Sequence, residues 1–327
     1  MPAPLAGKRI LDLGALCRKR PHSLAISMAA KLCAGFGAKV WRPAPTSGEP
    51  LAVAPPILPN GNSALDMFLN RDKLPGKAAA SYDAAIGDEA SLAEHASGVP
   101  IGVRISVFGP GEDPSVTELS LLALTGLLGL VGTAEGPPTR LAGHQLAYAA
   151  GLAACTGLLA AFHAGGGEMV DVSLFDVGVW LNWKAAIGIL LLGTGPERDG
   201  PRNHWMTVAA VDGFVALVYQ EKDWPLLREM VGNDRLDDPR FATMASRGEH
   251  RAALLAEIGP WFRSRTRAEI TAAAQRRRIP IGPVKWPAEL LRDPQHLARG
   301  FLEANGMPCL PLVWNGRRLA REPSHAA

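Results

Sequence analysis

The sequence predicts an α/β protein built on a parallel sheet, and three observations carry that prediction. Lys8–Leu13 (KRILDL) and Ala38–Trp41 (AKVW) are short apolar runs of strand length, and between them Ser23–Phe36 is a helical stretch of Ala, Leu and Met. A strand–helix–strand unit of this size closes as a right-handed crossover between parallel strands. The chain has 327 residues, 47% hydrophobic and 20% charged, so it can bury a large core and is not compositionally disordered.

Gly35 and Gly37 end the first helix. Residues 46–62 are rich in Pro, Gly and Ser and form a loop. Ala84–Gly87 and Val103–Val107 are further strands, the second followed by a turn at Phe108–Asp113 (FGPGED). Thr117–Gly132 and Leu146–Ala164 are helices, and Glu168–Leu174 (EMVDVSL) reads as a strand entering a buried site. Gly193–Pro201 (GTGPERDGP) marks a linker. Beyond it, Thr207–Val218 is a hairpin turning at Asp212-Gly213. Helices Trp224–Val231, Gly248–Ser264 and Arg267–Arg278 follow, and Pro280–Val284 returns the chain. The division expected is a large domain of residues 1–195 with 286–327 and a small α+β domain of 200–285.

Bulk properties exclude several classes. A formal net charge of +3 is too small for a nucleic-acid surface, and the basic run Arg276–Arg278 reads as a solvated helix face. Cys17, Cys33, Cys155 and Cys309 form no CxxC pair. Neither a metal site nor a disulfide framework is expected, and free thiols suit a reducing, cytoplasmic compartment. The opening MPAPLAGKRILDLGAL lacks the order of a signal peptide. Leu146–Ala164 has the length of a membrane span, but its Ala and Gly, with Tyr148, Thr156 and His163, read as a buried core helix.

Asp176 stands at the end of the VDVSLFD strand, where a helix starts. From pattern alone it is either a helix N-cap or a reachable carboxylate. Five segments resolve its setting: KRILDLG with GFGAKVWRPAP, FLNRDK at Phe68–Lys73, GGGEMVDVSLFD at Gly165–Asp176, VDGFVALVYQEKDW at Val211–Trp224, and DPRFAT, PIGPV and DPQHLARG in order toward the C-terminus. Together they resemble the family III CoA-transferases, which include formyl-CoA and carnitine CoA-transferases and share a superfamily with the α-methylacyl-CoA racemases.

The resemblance implies a Rossmann-like large domain made from both chain ends, a smaller domain, and an interlocked dimer. It implies that Asp176, not Asp171, is the catalytic carboxylate. Its substrates would be an acyl-CoA and a carboxylic acid acceptor, joined through an aspartyl anhydride and an aspartyl–CoA thioester. Arg42, Asn70, Arg71 and Lys73 match segments that approach coenzyme A, whose phosphates favour cations and backbone amides. No metal, nucleic acid or membrane is implied.

The chain also departs from the pattern. The segment before the Val103–Val107 strand is short, and Leu16–Leu24 (LCRKRPHSL) replaces the usual first loop. Thr117 stands where the racemase branch carries a histidine, although Glu221 falls near a carboxylate that branch uses. His144 and His163 read as core or surface histidines. Two alternatives to the transferase therefore stay open: a catalytically weakened CoA-binding partner in a hetero-oligomer, and an acyl-CoA racemase.

Overall fold

A computed structural model describes residues 3–45, 48–78, 81–111, 114–133, 135–195, 198, 205–303, 306–316 and 318–319. The chain forms two compact units, Met1–Pro196 with Phe301–Ala327, and Glu197–Gly300. Both chain ends thus contribute to the larger unit, and residues 286–300 fall with the smaller one.

The larger unit holds β1 (Arg9–Asp12), β2 (Lys39–Arg42), β3 (Leu74–Pro75), β4 (Ala84–Gly87), β5 (Ile101–Ser106) and β6 (Met169–Ser173). They form one sheet in the order β3-β2-β1-β4-β5-β6, with every neighbouring pair parallel. All six C-terminal ends therefore share one edge. The strand order reverses between β1 and β4, and in open α/β sheets the ligand crevice lies outside the C-terminal edge at such a reversal.

Around this sheet lie α1 (Arg20–Gly35), α2 (Ala64–Asn70), α3 (Glu89–His95), α4 (Glu118–Leu124), α5 (Gln145–Ala164), α6 (Leu174–Leu181) and α7 (Trp183–Leu192). The first helix begins three residues before its periodicity suggests. Pro21 sits in its first turn, where the missing N–H is no loss, so the unusual RKRPH segment supplies the start. The apolar helix α5 packs against α1, β5 and β6. At Gly151 a Cβ would lie 2.7 Å from Met28 Cβ and 2.8 Å from the Ala25 carbonyl oxygen. Only glycine allows that approach, and Ala150, Ala154, Cys155 and Leu158 fill the core beneath it.

Three local expectations shift. The helix predicted over Thr117–Gly132 ends at Leu124, because Gly126 takes a φ of +77° and breaks the turn. Periodicity predicts neither α2 nor α3; each has seven residues and starts on a side-chain cap, Ser63 or Asp88. The Gly193–Pro201 linker lies partly outside the described residues.

In the smaller unit β7 (Met206–Ala210), β8 (Gly213–Leu217) and β9 (Ile281–Pro283) make an antiparallel sheet in that order. Ala210 pairs with Gly213, so the two-residue turn is Val211–Asp212, one position earlier than the Asp-Gly signal suggests. Among its described residues this unit also holds α8 (Trp224–Val231), α9 (Met244–Glu249), α10 (Arg251–Arg263), α11 (Arg267–Arg276), α12 (Pro287–Leu290) and α13 (Pro294–Arg299). Leu217, Tyr219, Trp224, Phe241 and Phe262 form the centre of this unit's own core.

Candidate active site

Asp176 lies in the first turn of α6, one turn past the C-terminal end of β6. The cap is Ser173, not Asp176: the Ser173 hydroxyl accepts a hydrogen bond from the Asp176 N–H at 3.1 Å. It also donates to the Val107 carbonyl at 3.0 Å. The Phe175 N–H reaches the same carbonyl at 3.0 Å. Two bonds thus clamp the start of α6 to the residue after β5, and with the cap they fix the backbone beneath Asp176. Gly178 lets α6 press onto α4, since a Cβ there would meet Thr125 Cγ2 at 2.5 Å. The Asp176 side chain itself is exposed, and the helix N-terminus favours its negative charge. Asp171, five residues earlier, is a hydrogen-bonded strand residue: Arg104 Nε donates to it at 2.5 Å while Arg104 Nη1 binds Glu89 at 2.7 Å.

The middle of the same edge, at β1, is built differently. Asp12 closes β1 and is fully buried. Its Oδ1 accepts the Gly14 N–H at 2.8 Å. Its Oδ2 receives Arg42 Nη1 at 2.8 Å and Lys73 Nζ at 2.5 Å. Lys73 Nζ also donates to the Ser27 carbonyl at 2.9 Å and to Asn70 Oδ1 at 2.7 Å. All three protons of the ammonium are thereby directed at the chain's own oxygens. Arg42 turns its other edge to Glu49, with Nε to Oε2 at 3.1 Å and Nη2 to Oε1 at 2.7 Å. Ser27 Oγ accepts from Arg42 Nη1 at 3.1 Å.

Burial alone would push the Asp12 carboxyl up; the Arg42 and Lys73 charges overcome it and hold its pKa at about 2. Burial, with the Arg42 charge, brings Lys73 down to about 8 although Asp12 pulls the other way. Of the four residues expected to approach coenzyme A, the structure gathers Arg42, Asn70 and Lys73 around one carboxylate. Arg71 points elsewhere, to Glu303 at 2.7 Å, and ties the C-terminal segment to the larger unit. Asp12, Ser27 and Glu49 were not singled out by the sequence, and Asp12 stood in plain view inside KRILDLG.

The profile of CoA-transferase family III matches residues 96–325, which is more than half of the chain. This chain belongs to that family. An acyl-CoA transferase of Fusarium pseudograminearum is 31% identical over 192 residues, covering 55% of this chain and 42% of that protein. A succinyl-CoA–D-citramalate CoA-transferase of Chloroflexus aurantiacus is 29% identical over 216 residues, covering 61% of this chain and 53% of that protein. The chain thus spans about half the length of the curated relatives it matches. A CaiB/BaiF family protein from Brucella suis shares the fold, with a TM-score of 0.83 at 21% identity over 98% of this chain and 95% of that one.

Two further clusters in this family III chain concern the racemase alternative. Thr117 caps α4 and exchanges bonds with Ser120, so it serves helix geometry. Beside it, Glu118 is buried and its Oε2 lies 2.6 Å from His144 Nδ1. His144 is therefore held by a carboxylate, and its ring stands edge-on to Tyr148 at 6.2 Å. In the smaller unit Glu221 Oε2 accepts from Arg247 Nη2 at 2.7 Å and from the Met244 N–H at 2.8 Å. Arg247 is fully buried, 4.4 Å from the Trp224 ring centroid. Glu221 thus anchors the start of α9 to that buried cation.

Proposed function

We propose that this chain transfers coenzyme A between carboxylic acids, with Asp176 as the nucleophile. The observation that carries the reading is the exposed Asp176 carboxylate, clamped at the C-terminal sheet edge of a family III chain. An Asp176 oxygen attacks the thioester carbonyl carbon, the C–S bond breaks, and CoA leaves as the thiolate. The product is a mixed anhydride. The thiolate then attacks the Asp176 carbonyl carbon and expels the first carboxylate, giving an aspartyl–CoA thioester. The acceptor carboxylate attacks that thioester in turn, and the thiolate completes the transfer on the acceptor's acyl carbon, restoring Asp176. The relatives' names supply the acid classes worth assaying, among them citramalate and oxalate.

The working unit we propose is a homodimer. Trp180 is 77% exposed and Leu190 80% exposed on α6 and α7, immediately after Asp176, an apolar face of the kind that marks an interface. Sedimentation at micromolar concentration giving only monomer would remove this part. A cytoplasmic setting suits the four free thiols. The transferase reading is tested by exchange of a labelled carboxylic acid into acyl-CoA. Wild type should exchange and Asp176→Ala should not; full exchange by the variant sinks the reading. A pure chain that binds CoA without exchange would instead be a partner subunit.

A further inference from the structure

We infer that Asp12 is a positioning residue for coenzyme A: buried beneath the C-terminal edge, it fixes the ends of β1 and β2 and the start of β3, and so shapes the surface that receives the nucleotide half of the substrate. The inference rests on the transferase reading above.

Three chain segments meet at this one carboxylate, and a fourth joins them through Arg42 and Lys73. Gly14 belongs to the loop after β1, Ser27 to α1, Arg42 to the end of β2, and Lys73 to the approach to β3. A Cβ at Gly14 would sit 3.0 Å from Arg42 Nη1, Asp12 Oδ1 and Ser27 Oγ alike, which shows how tightly the loop is drawn onto the cluster. With Glu49 on the outer edge of Arg42, two carboxylates face two cations. A neutral cluster whose ammonium protons are all taken does not attract a phosphate. Its cations are therefore scaffold, and the surface they support is what a ligand meets.

Strand order separates this scaffold from the reacting group. From β1 to β6 there are three strand spacings, through β4 and β5, or roughly 14 Å at the usual inter-strand distance. A substrate arm of pantetheine length bridges such a gap. Disturbing Asp12 should then weaken the hold on the nucleotide while leaving the thioester end in place.

The test compares CoA with pantetheine, which keeps the thiol arm and lacks the nucleotide. Dissociation constants are measured by calorimetry, or by competition where pantetheine is weak, for wild type, Asp12→Asn, Glu49→Gln and Asp176→Ala. Asp12→Asn should weaken CoA by about tenfold and pantetheine by no more than about twofold. Glu49→Gln, at the solvent side of the cluster, should act in the same direction by about threefold, and decides the matter if Asp12→Asn fails to fold. Equal weakening of both ligands, or of neither, overturns the inference. Asp176→Ala should bind CoA like wild type; its retained turnover would defeat the transferase reading separately, without touching these binding ratios.

Discussion

The six-stranded sheet treats a carboxylate in opposite ways at its centre and at its margin. At β1, Asp12 is wholly buried and surrounded by Arg42, Lys73 and the Gly14 N–H. At β6, Asp176 is exposed, and only the backbone beneath it is tied down. The first arrangement removes every reactive possibility from the carboxyl group and converts it into structure. The second leaves the residue exposed and ties the surrounding turn by hydrogen bonds. On the proposed reading, stability is concentrated at the centre of the sheet and reactivity at its margin.

That contrast makes mirrored predictions. Asp176→Asn should lower kcat on the order of a thousandfold or more, because a nucleophile is lost, while the unfolding free energy stays within about 0.5 kcal/mol. Asp12→Asn should do the converse. Leaving two buried cations short of a partner costs about 3 kcal/mol, read from urea melts, with kcat on bound substrate retained. If both variants lose stability equally, the division of labour is wrong. Between these extremes, Ser173→Ala removes the α6 cap and should cost about 1 kcal/mol. It should also slow turnover, since the clamp under Asp176 loosens; unaltered kcat would show that the turn needs no clamp.

The smallest expected effect is in pH. Asp12 has a folded pKa of about 2, below its ordinary 3.8, so its stabilisation is complete above that ordinary value and is lost as pH falls through about 2. Lys73 is brought to about 8 from 10.5, so keeping it charged in the core costs stability below about 8, and that cost is relieved as pH rises toward 10.5. The stability gap between wild type and Asp12→Asn should therefore be widest between these two windows and narrow on either side. A gap that grows steadily toward acid would contradict the assignment.

Much of this fold was legible in the sequence, for local reasons. β1, α1, β2 and β6 each have a period or an apolar run that their own residues impose, and the VDVSLFD segment points to Asp176 as the candidate. The site was less legible where it depends on distant partners. Asp12 meets Arg42 across 30 residues and Lys73 across 61, and Glu118 meets His144 across 26; no spacing rule links such positions. The sequence assigns Arg42 and Lys73 to coenzyme A by resemblance, and only the fold shows both of them held by Asp12. Pattern alone leaves Asp176 open as the α6 cap or a reachable carboxylate, because Ser173 and Asp176 both suit a helix start; the cap falls to the hydroxyl that also reaches the Val107 carbonyl.

The most direct measurement is chemical trapping. Purified protein is incubated with a panel of short acyl-CoAs, quenched with hydroxylamine or borohydride, and mapped by mass spectrometry. Modification confined to Asp176, and present only when an acyl-CoA is supplied, is the predicted result. Turnover with Asp176 unmodified, or a covalent adduct on another residue, would contradict the account at its centre.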